Sequence, residues 1–120
     1  MNDLYGGTVR LFNEIKTLSQ GIEVTYVDMT DMQNVFEAKT DKTKMIFVET
    51  PTNPLLRVVD LSAIAEFAKA ENILSVCDNT FASPYVQQPL NHGIDIVLHS
   101  ATKYLGCLLY TSDAADDRMR

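Results

Sequence analysis

No apolar run in the 120-residue sequence approaches the roughly 18 residues that a membrane-crossing helix requires, so no membrane partner is expected. Basic charge is also scarce. The formal net charge is −6 and the pI about 4.7, which argues against a surface built to follow a phosphate backbone, and no nucleic-acid partner is expected. Two cysteines, Cys77 and Cys107, are too few for a disulfide framework, and Cys77 sits in an apolar run as a small buried hydrophobe would. His92 and His99 lack the spacing of metal ligands and no cluster of Cys, Asp or Glu accompanies them, so no metal is expected. Gly-x-Gly-x-x-Gly and Gly-x-x-x-x-Gly-Lys-Ser/Thr are both missing, which removes the main support for a nucleotide-binding reading. There is no internal repeat and no low-complexity segment. No basic stretch followed by an apolar core opens the chain, and the expected compartment is the cytoplasm.

What remains is an ordinary globular composition, 46% hydrophobic and 22% charged, in a length that fits one domain at most. The pattern alternates helix and strand. Tyr5-Gly6-Gly7 reads as a turn, and Leu11, Phe12, Ile15 and Leu18 form a helical stripe closed by Gly21. Ile22 to Val27 is rich in β-branched and aromatic residues and reads as a strand. Thr30-Asp31-Met32-Gln33 fits a capping box for a helix whose apolar face is Met32, Val35 and Phe36. Lys44 to Glu49 reads as a strand covered on both sides. Pro51 and Pro54 make residues 50–59 a loop, and Asp60 caps a helix with Leu61, Ile64, Ala65 and Ala68 inside. Ile73 to Cys77 and Asp95 to His99 read as two further strands, with Pro84 and Pro89 breaking the segment between them. Strands alternating with helices predict an α/β fold with a mostly parallel sheet and flanking helices.

Two strand ends carry the chemistry. Asp78-Asn79-Thr80 follows one apolar run and Ser100-Ala101-Thr102-Lys103 follows another. In a parallel sheet such ends can bring a carboxylate and an amine to one crevice. That pairing suits pyridoxal phosphate, which needs an amine for its Schiff base and a carboxylate for its protonated ring nitrogen, while the hydroxyls of Ser100 and Thr102 suit a phosphate. Taken singly, each residue has a plainer reading: a solvated lysine for Lys103, a turn cap for Asp78, turn hydroxyls for Ser100 and Thr102, a packed core histidine for His99.

The blocks Asp3-Leu4-Tyr5-Gly6-Gly7-Thr8, Glu49-Thr50-Pro51-Thr52-Asn53-Pro54, Val76-Cys77-Asp78-Asn79-Thr80-Phe81 and Ser100-Ala101-Thr102-Lys103-Tyr104 tip that balance. In this order they resemble the Cys/Met-metabolism group of fold-type I pyridoxal phosphate enzymes, over about residues 2–105. The resemblance implies that residues 1–105 are part of the cofactor-binding large domain of the fold-type I transferases. It implies Lys103 as the Schiff-base lysine and proton shuttle, Asp78 as the partner of the pyridine nitrogen, and Thr80 near the ring. Ser100 and Thr102 would hold the phosphate, Tyr5 would stack on the ring and take part in proton transfer, and Asn53 would hydrogen-bond the phenolic oxygen. Glu49, at a strand end, is less specific and is not placed in the site. Arg57 is read as structural or surface, because the family's substrate-carboxylate arginine lies in a C-terminal domain.

The implied activity is γ-replacement or γ-elimination on homoserine-derived amino acids. The runs 53–60 and 97–100 place a cystathionine γ-synthase slightly ahead of a γ-lyase or methionine γ-lyase. A fold-type I aminotransferase and a non-catalytic α/β piece are the alternatives. The implied partners are a small amino-acid substrate and further copies of the chain, as a homotetramer with shared sites. Residues 106–120 depart from the family's run after the lysine–tyrosine pair and are read as foreign to the domain, and Met1 as a doubtful natural start. The 120 residues alone are expected to be inactive, since relatives complete the site with a phosphate turn, a neighbouring subunit and a C-terminal domain.

Overall fold

Three parallel strands organise the chain. In the computed structural model, which describes residues 3–16 and 20–106, β1 (Met45–Glu49), β2 (Leu74–Asp78) and β3 (Ile96–Leu98) lie in the order β1-β2-β3. The α/β architecture expected from the pattern is the one observed. Cys107 and residues 107–120, including most of the stretch read as a tail, lie outside the described residues, as do Met1 and Leu18.

Each crossover has a local cause. The helix α1 (Gly6–Arg10) runs into a π-helical stretch, Leu11–Lys16. Here the glycine pair opens a helix rather than only making a turn, with Tyr5 at the N-cap and its carbonyl accepting from Thr8 and Val9. Leu11 stays exposed, and it is Phe12 that meets the sheet, its ring edge-on to Phe47 at 5.5 Å. Gly21 adopts a φ of 64°, the left-handed region that favours glycine. The next helix, α2 (Met32–Ala38), begins one residue later than the capping box predicts. Asp31, not Thr30, is its cap, accepting from the Gln33 backbone N–H, because Thr30 is held in a turn by Asp28. Val35 is buried, and Phe36 packs its ring against Phe67 at 4.9 Å.

The helix α3 (Leu61–Ala70) matches its expected form. Asp60 accepts from Ala63 N, a contact worth about 1 kcal/mol, and Leu61, Ile64, Ala65 and Ala68 are all buried. They pack on Ile46, Val48 and Cys77, which alternation places on one sheet face, while Phe47 on the other face meets Phe12. A short helix, α4 (Ser83–Val86), and a 3₁₀ turn, Pro89–His92, fill the segment between β2 and β3.

Two expectations differ from the fold. Residues 22–27 form no strand, so among the described residues the sheet has three strands rather than four. β-propensity alone does not make a strand without a ladder partner, and β1 pairs only with β2 here. The double coverage expected of β1 is also partial, since Met45 is half exposed while Ile46 and Val48 are buried.

Cys77 has a testable consequence. Burial first, then the charges of Asp78 and Glu49, push its thiol up to about 12, so at neutral pH it is protonated and poorly nucleophilic. Iodoacetamide at pH 8 is expected to leave the Cys77 peptide unmodified in the native protein and to label it after denaturation. Peptide mapping keeps Cys107 separate, and native labelling of Cys77 at the rate of a free thiol would contradict this.

Candidate functional site

The site lies where the strands end. The register pairs Glu49 with Asp78 and Asp78 with Leu98, so Glu49 and Asp78 project from one face at the carboxyl edge of the sheet. One step further, Asn79 N donates to the Leu98 carbonyl, which keeps β3 in line as it leaves the ladder. Thr80 follows on the face of Asp78. Its hydroxyl donates to Asp78 Oδ1 at 2.6 Å, its backbone N–H donates to the same oxygen at 3.0 Å, and its Oγ accepts from Ser100 N at 2.8 Å. Thr80 therefore ties the carboxylate of one strand end to the loop that follows the next.

That loop is a tight turn. Lys103 N donates to the Ser100 carbonyl at 3.1 Å, and the hydroxyls of Ser100 and Thr102 lie 3.2 Å apart. Lys103 is exposed on this turn.

From the other side comes the loop 50–59. Two buried threonines organise it. Thr52 accepts from Arg57 N through its hydroxyl oxygen and donates that hydroxyl to Asp3, while Thr50 Oγ accepts from Val59 N. Arg57 pairs with Asp28 at 3.0 Å, a structural role as expected. The loop presents Asn53 beside Tyr5. Tyr5 in turn needs its neighbour to be glycine: a Cβ on Gly7 would sit 2.7 Å from the Tyr5 ring, whereas Gly6 faces open space. Of the two glycines, only Gly7 permits the close approach.

Tyr5, Asn53, Asp78, Thr80, Ser100, Thr102 and Lys103 thus line one cavity of about 170 Å³, together with Phe81 and Glu49. All seven residues that the resemblance assigns to the cofactor line this cavity. Phe81 and Glu49 carry no role in the motif reading, and Glu49 proves to be the structural tie of the site. Glu49 is 5% exposed, and its carboxylate accepts two backbone N–H groups, Tyr5 at 3.1 Å and Asn53 at 2.7 Å. It holds together the two segments that carry the aromatic ring and the amide. The signal was present in the sequence, since Glu49 opens the Glu49-Thr50-Pro51-Thr52-Asn53-Pro54 block at a strand end, the position where Asp78 stands in the neighbouring strand.

Burial raises the pKa of Glu49. The two N–H donors pull it down, and the nearby charges of Asp78 and Asp3 push it up again. A carboxyl whose folded pKa lies above its unfolded value favours folding below that unfolded value, and the advantage fades as pH rises through the folded pKa. Compared with Glu49→Gln, the unsubstituted protein is expected to gain relative thermal stability as pH falls from neutral toward about 4.5, the ordinary value for glutamate. Melting curves of both proteins at several pH values check this, and a gap that is flat with pH or widens the other way would overturn it.

Four side-chain polar groups at the cavity make no hydrogen bond among the described residues: the Tyr5 hydroxyl, Asp78 Oδ2, the Asn53 amide and Lys103 Nζ. An uncommitted carboxylate oxygen, an amide and a primary amine, beside paired hydroxyls and an exposed tyrosine ring, form a donor set that fits pyridoxal phosphate. Each polar substituent of that molecule finds a partner of the right kind.

A family model described as "Cys/Met metabolism PLP-dependent enzyme" matches residues 1–108. The chain belongs to this family. Its members depend on pyridoxal phosphate. Among curated relatives, a cystathionine beta-lyase of Coxiella burnetii is 56% identical over 105 residues, covering 88% of this chain, and a cystathionine gamma-lyase of Bacillus subtilis is 51% identical over the same share. The chain spans 27% of the length of each. Among solved structures, cystathionine gamma-lyase from Lactobacillus plantarum complexed with L-serine superposes with a TM-score of 0.89 at 53% identity, over 92% of this chain and 29% of that one. The parallel sheet with flanking helices is the α/β arrangement shared with that structural neighbour.

Proposed function

We propose that this chain is the cofactor-binding part of a trans-sulfuration enzyme that breaks the carbon–sulfur bond of cystathionine or a related amino acid. The observation that carries the reading is the convergence, in one cavity, of a free amine, an uncommitted carboxylate oxygen, paired hydroxyls and an aromatic ring.

Pyridoxal phosphate, when bound, supplies an electron sink for a carbanion beside the substrate's amino group. The chain's own groups do the rest. Lys103 Nζ would hold the cofactor through its amine and is the base placed to take a proton from the substrate's Cα. Asp78 Oδ2 would pair with the protonated ring nitrogen, and Thr80 fixes Asp78 by occupying Oδ1. The hydroxyls of Ser100 and Thr102 would donate to the phosphate, the Tyr5 ring would pack against the pyridine ring, and the Asn53 amide would bind the phenolic oxygen. The substrate is a small amino acid. The assembled enzyme is read as a homotetramer of cytoplasmic location, its size open to light scattering on the cofactor-loaded protein.

Cleavage is placed ahead of synthesis because the two curated relatives named above are lyases. The γ-synthase is the second reading, favoured by the runs 53–60 and 97–100. Borohydride reduction of the cofactor-loaded protein, followed by peptide mapping, tests the site. A pyridoxyl adduct on Lys103 is the expected result, and a folded protein without one would sink the reading. Assays with cystathionine, O-acylhomoserines and an amino-acid/keto-acid pair then separate lyase, synthase and aminotransferase.

A further inference from the structure

We propose that Gln87 is a positioning residue for the cofactor site, holding the three strand ends that carry it from the opposite face of the sheet. The inference rests on the reading of the cavity as a pyridoxal phosphate site. The register pairs Glu49, Asp78 and Leu98 across the sheet. One residue on, the row is Thr50, Asn79 and His99, and alternation points that row away from the cavity. These residues sit directly beside the site residues Glu49, Asp78, Thr80 and Ser100.

The Gln87 side chain ties the row together. Its Nε2 donates to the Thr50 carbonyl at 3.0 Å and to Asn79 Oδ1 at 2.9 Å. Asn79 Nδ2 donates back to the Gln87 carbonyl at 2.9 Å and lies 3.1 Å from His99 Nε2. The orientation of both amides is forced. A backbone carbonyl only accepts, so Thr50 O fixes Nε2 of Gln87 and Gln87 O fixes Nδ2 of Asn79. His99 Nε2 is then an acceptor. Thr50 and Asn79 are buried, at 1% and 0% exposure, so no water can take over from the Gln87 donors without a rearrangement. Both hydrogens of the Gln87 amide are used, one on the strand end of β1 and one on that of β2, and Asn79 passes the connection to β3. On the cavity side, the Thr80–Ser100 bond ties the end of β2 to the loop that follows β3. The network behind it sets the spacing that this bond and the site require.

Gln87→Met keeps length and removes both donors. Gln88→Met, on the exposed neighbour, is the control. In the full chain, Gln87→Met is expected to weaken pyridoxal phosphate binding about tenfold and to reduce the visible circular dichroism of the bound cofactor, with Gln88→Met unchanged. Cofactor affinity and visible dichroism within twofold of the unsubstituted protein would overturn the inference. Should Gln87→Met fail to fold, the unsubstituted protein decides. Coupling is reciprocal, so saturating pyridoxal phosphate must slow exchange of the Gln87 side-chain amide hydrogens, followed by NMR. Exchange unaffected by the cofactor would overturn the inference while leaving the site reading intact. An unsubstituted protein that does not bind pyridoxal phosphate at all would overturn both.

Discussion

In the complete enzyme proposed above, Lys103→Ala is expected to abolish the borohydride-stable adduct and to lower turnover by about 10²–10⁴-fold, the usual weight of a positioned acid–base group. The fold should survive. Lys103 is exposed on a turn closed by backbone, its N–H donating to the Ser100 carbonyl, and its side chain makes no ion pair among the described residues. Nothing in the core depends on its amine. Far-UV dichroism and the melting temperature should therefore be unchanged while the absorbance of covalently held cofactor disappears. Added methylamine, a small primary amine, should restore part of the turnover if the missing group acts as an acid–base. Retention of the adduct on another lysine would show that Lys103 is not the anchor.

Asp78→Asn is expected to have the next largest effect, a loss of about 10- to 150-fold in cofactor affinity, the equivalent of one charge-assisted hydrogen bond. The argument is atomic. Asp78 Oδ1 receives both Thr80 donors, and an asparagine can place its own carbonyl oxygen there, so the turn and the link from Thr80 to Ser100 persist. The second position then holds an N–H₂ group in place of a negative oxygen. It cannot accept from a ring N–H, and it removes the charge that favours a protonated pyridine. Fluorescence titration of both proteins with pyridoxal phosphate measures the change. An affinity within twofold of the unsubstituted protein would mean that Asp78 serves only as a turn cap.

Most of the fold was legible because its signals are local. The Asp60 cap and the Leu61, Ile64, Ala65, Ala68 face need only one helix to be recognised, and both strands that carry site residues announce themselves as apolar runs. Residues 22–27 were not legible in this way, since pairing depends on a neighbour that propensity does not supply. The choice of Asp31 over Thr30 as a cap turned on Asp28, which captures the Thr30 hydroxyl first. The cavity's residue types could be read from motifs, but the contacts that hold them could not. Glu49 acts on backbone N–H groups, which look alike in every sequence, and Gln87 reaches a carbonyl 37 positions away. Long-range hydrogen bonds to the main chain leave no pattern in spacing.

The site draws on both ends of the described chain, from Tyr5 to Lys103, with Glu49 bonded to the Tyr5 backbone between them. A single molecule held by all of these residues joins segments that are otherwise connected only through the whole length of the sheet. Such a molecule can be gripped fully only after every crossover has closed, and a chain missing either end would hold it by part of its contacts. Cofactor supply thereby becomes a factor in how much of this protein survives as folded material, because each bound molecule withdraws a completed chain from the unfolding equilibrium.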